Sequence, residues 1–206
     1  AEYRIVTAET LAHVPDGVSA ILAAALPCAG LTAYQAIVRR LHVSAGQTVL
    51  VTAAAGGVGG FAVQLSRLAG ARVIGTASSV NHEFVRSLGA DDVISYRSEN
   101  VTERVREITN GRGVDAVLDT VSSESATENL KLLVHNGGLA FASGRPDLSA
   151  VAPFTTAPSI HELALGAAYD YGDSVARHYL AIELGAPSAR FRRQVESDGE
   201  QGRCPR

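Results

Sequence analysis

The sequence predicts an α/β protein, a doubly wound parallel sheet with helices on both faces, and three observations carry that expectation. From Gln47 to Ala142 one unit repeats: a short β-branched apolar run, a glycine or polar turn, then a segment of helical period. The runs are apolar almost without interruption, as strands covered on both faces must be. The turn after the first run is rich in glycine and opens directly into the most regularly periodic helix.

Residues 1–40 read as a lead-in: a short strand over Tyr3–Val6, a turn at Pro15–Gly17, and an alanine-rich helical stretch that breaks at Pro27. Proline lacks the N–H and its ring crowds the preceding helical turn. Strands follow at Thr48–Thr52, Arg72–Thr76, Asp92–Ser95, Ala116–Asp119 and Gly138–Ala142, joined by right-handed crossovers. The helix after the first strand places Val58, Phe61, Ala62, Leu65, Leu68 and Ala69 on one face, with Gln64, Ser66 and Arg67 opposite. In the next, Asn81 is the N-cap, Val80 and Val85 stand at staple positions, Phe84 and Leu88 continue the stripe, and Gly89 stops it. The third has Asn100 and Glu103 at capping-box spacing, Val101, Val105 and Ile108 inward, and Gly111 past its end. Ser125 and Glu128 repeat that spacing ahead of Ala126, Leu130 and Leu133. Beyond Gly144 the chain reads as loop up to an edge strand at Ile160–Ala168. From Gly185 apolar periodicity disappears, so residues 184–206 are expected to form a disordered tail behind a folded domain at 41–183.

With 206 residues, 46% of them hydrophobic, and a net charge of −3, the chain has room for one ordinary domain plus an appendage and no basic surface for nucleic acid. Cys28 and Cys204 cannot build a disulfide framework or a four-thiolate metal site, and a cytoplasmic location is the expectation. The most apolar stretch, Ile21–Ala29, is short and interrupted by Pro27, and acids at Glu2, Glu9 and Asp16 precede it. Neither an export signal nor a membrane span is expected.

The segment Ala53–Gly60, AAAGGVGG, is where chemistry enters. With Ala54, Gly56 and Gly59 in the three places of the dinucleotide fingerprint, the turn is tight and bare backbone meets a pyrophosphate at a helix N-terminus, as in a Rossmann domain. An NAD-specific site keeps an acid after the second strand to bind ribose hydroxyls. Here that window reads Thr76, Ala77, Ser78 and Ser79, with no acid before Glu83, which favours NADPH over NADH. Ser78 and Ser79 are either contacts for a 2′-phosphate or a solvated turn, and His82 either adds charge there or is a surface residue of the next helix.

The runs AALPCAGLTAYQAI (24–37), VLVTAAAGGVGGFAVQLSRLAGARVIGTASS (49–79), LGADDVISY (88–96), GVDAVLDTV (113–121) and GGLAFASG (137–144) resemble the zinc-free quinone oxidoreductase branch, zeta-crystallin-like, of the medium-chain dehydrogenase/reductases. That resemblance implies an NADPH-dependent reductase of quinones, enones or other activated carbonyl compounds, working by hydride transfer without zinc. It implies a pyrophosphate turn at Gly56, Gly57, Val58 and Gly59, and an adenosine-phosphate wall at Ser78, Ser79 and Tyr96. It implies a nicotinamide side at Thr32, Thr120, Val121, Phe141, Ala142, Ser143 and Gly144. No catalytic acid is assigned, since nothing places Tyr34 or His161 beside a substrate, and Cys28 reads as packing. The family's barrel-like substrate domain has no counterpart in the sequence, so the chain reads as a fragment or as a cofactor domain with another use. Two such domains of the family often join through the last strand, which implies a homodimer through Ile160–Ala168; a covered edge within one chain is the alternative. The rival function is a non-catalytic nucleotide-binding, scaffold or dimerisation domain, or a fold turned to non-redox chemistry.

Overall fold

A computed structural model describes residues 5–14 and 16–183 of the chain. Its regular elements are α1 (Ala20–Ala24), α2 (Leu31–Tyr34), β1 (Thr48–Val51), α3 (Gly57–Leu68), β2 (Arg72–Ala77), α4 (His82–Ser87) and β3 (Asp92–Ser95). These are followed by α5 (Val101–Ile108), β4 (Val114–Asp119), α6 (Ser123–Leu130), β5 (Leu133–Phe141), β6 (Ser159–Glu162), α7 (Ala167–Asp170) and a helix α8 over 174–183. Two compact units divide them: Thr32–Ala164, and Ala1–Leu31 with Leu165–Arg206.

The Thr32–Ala164 unit holds one six-stranded sheet in the order β3-β2-β1-β4-β5-β6, every neighbouring pair parallel. The doubly wound parallel sheet expected from the sequence is therefore the observed fold. β1 sits centrally, in register with β2 at Thr48 and Arg72 and with β4 at Val49 and Ala116. Right-handed crossovers put α3 and α4 on one face and α5 and α6 on the other. Leu50, Ile74, Ile94, Val117 and Leu139 from five strands pack with Val105, Ala126 and Leu130 in one apolar cluster. The strand order reverses between β1 and β4, and ligands bind at such a switch point, outside the carboxyl ends of the strands.

Several local expectations are corrected. The buried face of α3 is Gly59, Gly60, Ala62, Val63, Leu65 and Ser66: Ala62 and Leu65 are buried as expected, while the face extends to Val63 and Ser66 and leaves Leu68 out. Small side chains let the helix lie close to the sheet, so Ser66 is wholly buried while Leu68 is 46% exposed. The Val80 staple does not form: a 3-10 turn at Ser79–Asn81 precedes α4, Val80 is 87% exposed, and Asn81 spends its amide on Ser78 Oγ, 3.2 Å away. Asn100 does cap α5, accepting from the Glu103 N–H at 3.2 Å. α6 is capped by Ser122 rather than Ser125, whose own N–H donates to the Ser122 hydroxyl at 3.2 Å. β5 begins at Leu133, before the expected Gly138, because a register shift between Val114 and Ala116 absorbs the turn at Asn136, where φ is +61°. β6 is shorter than Ile160–Ala168, and Ala167–Asp170 is helical.

In the other unit, Ser19 caps α1 by accepting the Leu22 N–H at 3.3 Å. Pro27 does not break the helix: Leu26–Gly30 continues as wider turns, in which the Gly30 N–H reaches back to the Ala25 carbonyl at 3.3 Å. Widening avoids the clash that a tight turn would force on the ring. Ile5 and Val6 form no strand, while Tyr3 and Arg4, Pro15 and the tail at 184–206 lie outside the described residues. Helix 174–183, for which the sequence reading had no element, is anchored by Arg177, whose Nε donates to Glu9 at 2.7 Å. No helix among the described residues is long and apolar enough to cross a membrane.

Candidate functional site

The turn after β1 is fastened to the strand beside it. Ala53 takes a left-handed φ of +46°; its N–H donates to the Thr76 hydroxyl at 3.2 Å, and the Ala54 N–H to the Thr76 carbonyl at 2.9 Å. Thr76 thus serves the turn's shape, and Ala54 is buried beneath it. Gly56 caps α3 without a side chain, its N–H donating to the Ala53 carbonyl at 2.8 Å. A Cβ at Gly59 would overlap that same carbonyl and stand 2.8 Å from the Ala54 Cα, so only glycine fits where the helix meets the turn. Gly56 and Gly57 are exposed, and no side chain covers the first N–H groups of this twelve-residue helix. Such a helix start holds an anion.

Beside the turn, over the carboxyl ends of β1 to β4, lies a cleft of about 620 Å³. Strand ends supply Thr52, Ala53, Thr76, Tyr96, Thr120 and Val121. Asn100 to Thr102 at the start of α5, and Ser125, Glu128 and Asn129 of α6, complete the wall. Of the residues expected from the sequence, Thr76, Tyr96, Thr120 and Val121 meet here, although the resemblance assigned Tyr96 to one end of the ligand and Thr120 and Val121 to the other. Ser78, half-buried, and Ser79, exposed, stand after β2 outside this wall. His82 opens α4 with its Nε2 buried and without a hydrogen-bond partner. Thr32 and Phe141 are buried, Ala142 and Ser143 are exposed after β5, and the Ser143 hydroxyl donates to the Val121 carbonyl at 3.1 Å. Gly144 packs so tightly on Ser123 that a Cβ would lie 2.8 Å from its Cα.

Sequence reasoning missed the polar hub that holds the β4–α6 loop. The Thr52 hydroxyl accepts the Thr120 N–H at 3.0 Å, tying the ends of β1 and β4 together. Asp119, only 1% exposed, accepts from the Val121 N–H at 2.9 Å, the Ser125 hydroxyl at 2.6 Å and the Asn129 amide at 2.8 Å. The available signal was an acid closing an apolar strand, followed by Ser125 and Asn129 four apart on one helical face. Arg97, next to Tyr96, was likewise unassigned; its guanidinium stands 5.8 Å from the centre of the Tyr96 ring. At the opposite end of β4, the Arg112 guanidinium holds the Asp115 carboxyl below the usual range against the effect of its burial, helped by the Thr48 N–H.

Among the described residues no three His, Cys, Asp or Glu side chains lie together so as to hold a metal ion. The residues at the glycine turn do fit a dinucleotide: bare backbone at Gly56 and Gly57, a glycine cradle at Gly59, and an uncovered helix start.

Residues 57–168 match the family model described as zinc-binding dehydrogenase. The chain is 46% identical over 129 residues to erythronolide synthase EryA2 of Saccharopolyspora erythraea, covering 62% of this chain and 4% of that protein. It is 36% identical over 137 residues to quinone oxidoreductase of Pseudomonas aeruginosa, covering 66% of this chain and 42% of the oxidoreductase. Among solved structures, the CurK enoyl reductase superposes with a TM-score of 0.77 at 29% identity, over 97% of this chain and 58% of that one. The chain therefore spans under half the length of these two relatives.

Proposed function

This chain belongs to the zinc-binding dehydrogenase family and carries the cofactor-binding fold of the medium-chain dehydrogenase/reductases, and on that premise we propose that it is the NADPH-binding portion of a reductase acting on activated carbon–carbon double bonds. The observation that carries this reading is the uncovered helix start at Gly56–Gly59, placed at the sheet's switch point beside a 620 Å³ cleft. In the reaction, bound NADPH supplies hydride. The chain's own share is to hold and orient it: the Gly57, Val58 and Gly59 N–H groups bind the pyrophosphate. Ser78, Ser79 and Tyr96, with Arg97 beside them, receive the ribose phosphate. Absence of an acid between Thr76 and Glu83 supports NADPH over NADH.

Higher identity to a polyketide synthase than to a quinone oxidoreductase favours an enoyl thioester over a quinone as acceptor. The test is to titrate the chain with NADPH and NADH, then follow NADPH oxidation with a short enoyl thioester and with a simple quinone. Tighter NADPH binding supports the reading, and the faster acceptor names the substrate class. Failure to bind either nucleotide refutes it. Tight binding without turnover with any acceptor supports the rival, a nucleotide-binding domain without redox chemistry of its own.

A further inference from the structure

We infer that Asn129 determines base specificity in the cleft: its side-chain oxygen, aimed by Asp119, accepts a hydrogen bond from the exocyclic amino group of an adenine ring. This rests on the dinucleotide reading above and names the part of the ligand that the β4–α6 side of the site recognises.

Asp119 is a buried carboxylate that forms no ion pair among the described residues, so neutral donors must satisfy it. A carboxylate only accepts, which obliges Asn129 to turn its NH2 group inward; a flipped amide would set two acceptor oxygens against each other. Both N–H bonds of that group are spent, one on Asp119 Oδ2 at 2.8 Å and one on Ser125 Oγ at 3.3 Å. The Asn129 Oδ1 is left, and it takes no hydrogen bond from any described residue. It is not sealed away either: Asn129 is 3% exposed, lines the cleft, and its oxygen is not among the fully buried unpaired atoms. A nearly buried, fixed acceptor on a cleft wall selects a ligand that brings a donor and penalises one that brings another acceptor. Val101, Val121 and Tyr96 give the same cleft apolar surface for a flat ring. Glu128 also reaches the cleft, but its carboxylate is engaged by Lys131 at 2.7 Å.

The experiment compares binding of NADPH with binding of its hypoxanthine analogue, in which a carbonyl oxygen replaces the adenine amino group, by fluorescence titration of the intact chain. NADPH is expected to bind about tenfold more tightly or better. Asn129→Ser, which removes the acceptor, brings that ratio close to one. Asp119→Asn frees the Asn129 amide to turn over and lowers the same ratio, a change that mere loss of stability does not produce. Equal binding of the two nucleotides by the unmodified chain overturns the inference while leaving the dinucleotide reading intact, and it decides the matter even where a variant fails to fold. A ratio unchanged in Asn129→Ser overturns it as well. Binding of neither nucleotide overturns both readings together.

Discussion

Gly59 is where the turn after β1 closes on α3, and its missing side chain is a steric requirement. A methyl group there meets the Ala53 carbonyl and the Ala54 Cα, both main-chain atoms held by Thr76, so the turn has to open. Gly59→Ala is expected to cost about 1–3 kcal/mol of stability and to weaken NADPH binding, read by denaturant unfolding and nucleotide titration. Unchanged values in both would show that the turn is softer than its hydrogen bonds imply. Asp115 poses a different question at the same scale. It accepts the Thr48 N–H at 2.8 Å and pairs with Arg112 at 2.7 Å, bracing β1 against β4 from the end away from the cleft. Its folded carboxyl is held below the ordinary range, so its contribution is present above about pH 4 and is lost as pH falls through the lowered value. Asp115→Asn should cost about 1 kcal/mol at neutral pH and flatten that acid loss. An unfolding midpoint as steep in pH as the parent's would exclude the role.

Elements were legible in kind and misplaced in phase, and α3 shows why. Ala62 and Leu65 are buried as their spacing implies, but the buried face also takes in Gly59, Gly60, Val63 and Ser66 and leaves Leu68 out. Hydrophobicity alone extends the stripe through Leu68, yet the buried face turns toward Ser66 because small side chains let helix and sheet approach. The result leaves the Ser66 hydroxyl buried without a partner and Leu68 partly in water. Ser66→Ala is therefore expected to raise stability by up to about 1 kcal/mol, and Leu68→Ala to change it by only about 0.5 kcal/mol. Thermal unfolding decides: a loss of about 2 kcal/mol or more in Leu68→Ala, as for a buried leucine, would put Leu68 back on the buried face. The cap of α6 went astray for a related reason. Ser122, Ser123 and Ser125 are chemically equivalent candidates, and Asp119, by taking the Ser125 hydroxyl, leaves Ser122 to cap. Asn100, the sole Ser, Thr, Asp or Asn candidate directly before α5, was identified correctly.

At the scale of the whole molecule, β6 pairs with β5 on one side and ends the sheet on the other. We propose that this open edge, Ser159–Glu162, pairs with a second copy of the chain about a two-fold axis. Sedimentation equilibrium should then report a dimer, and Ile160→Pro, which removes an N–H from the edge, a monomer that still melts cooperatively. A monomeric parent at micromolar concentration would refute it. The sequence by itself determined the class of fold, the first five strands and the glycine turn, because each is written in a local period or a residue type whose backbone freedom admits little else. Only the tertiary structure decided that the buried face of α3 turns to Ser66 and leaves Leu68 out, where α6 begins, that Pro27 widens a helix instead of ending it, and that Asp119, Ser125, Asn129 and Thr52 converge at the cleft. Those outcomes depend on which distant groups compete for one hydrogen bond or one contact, and such competition between β1, β4 and α6 has no period along the chain.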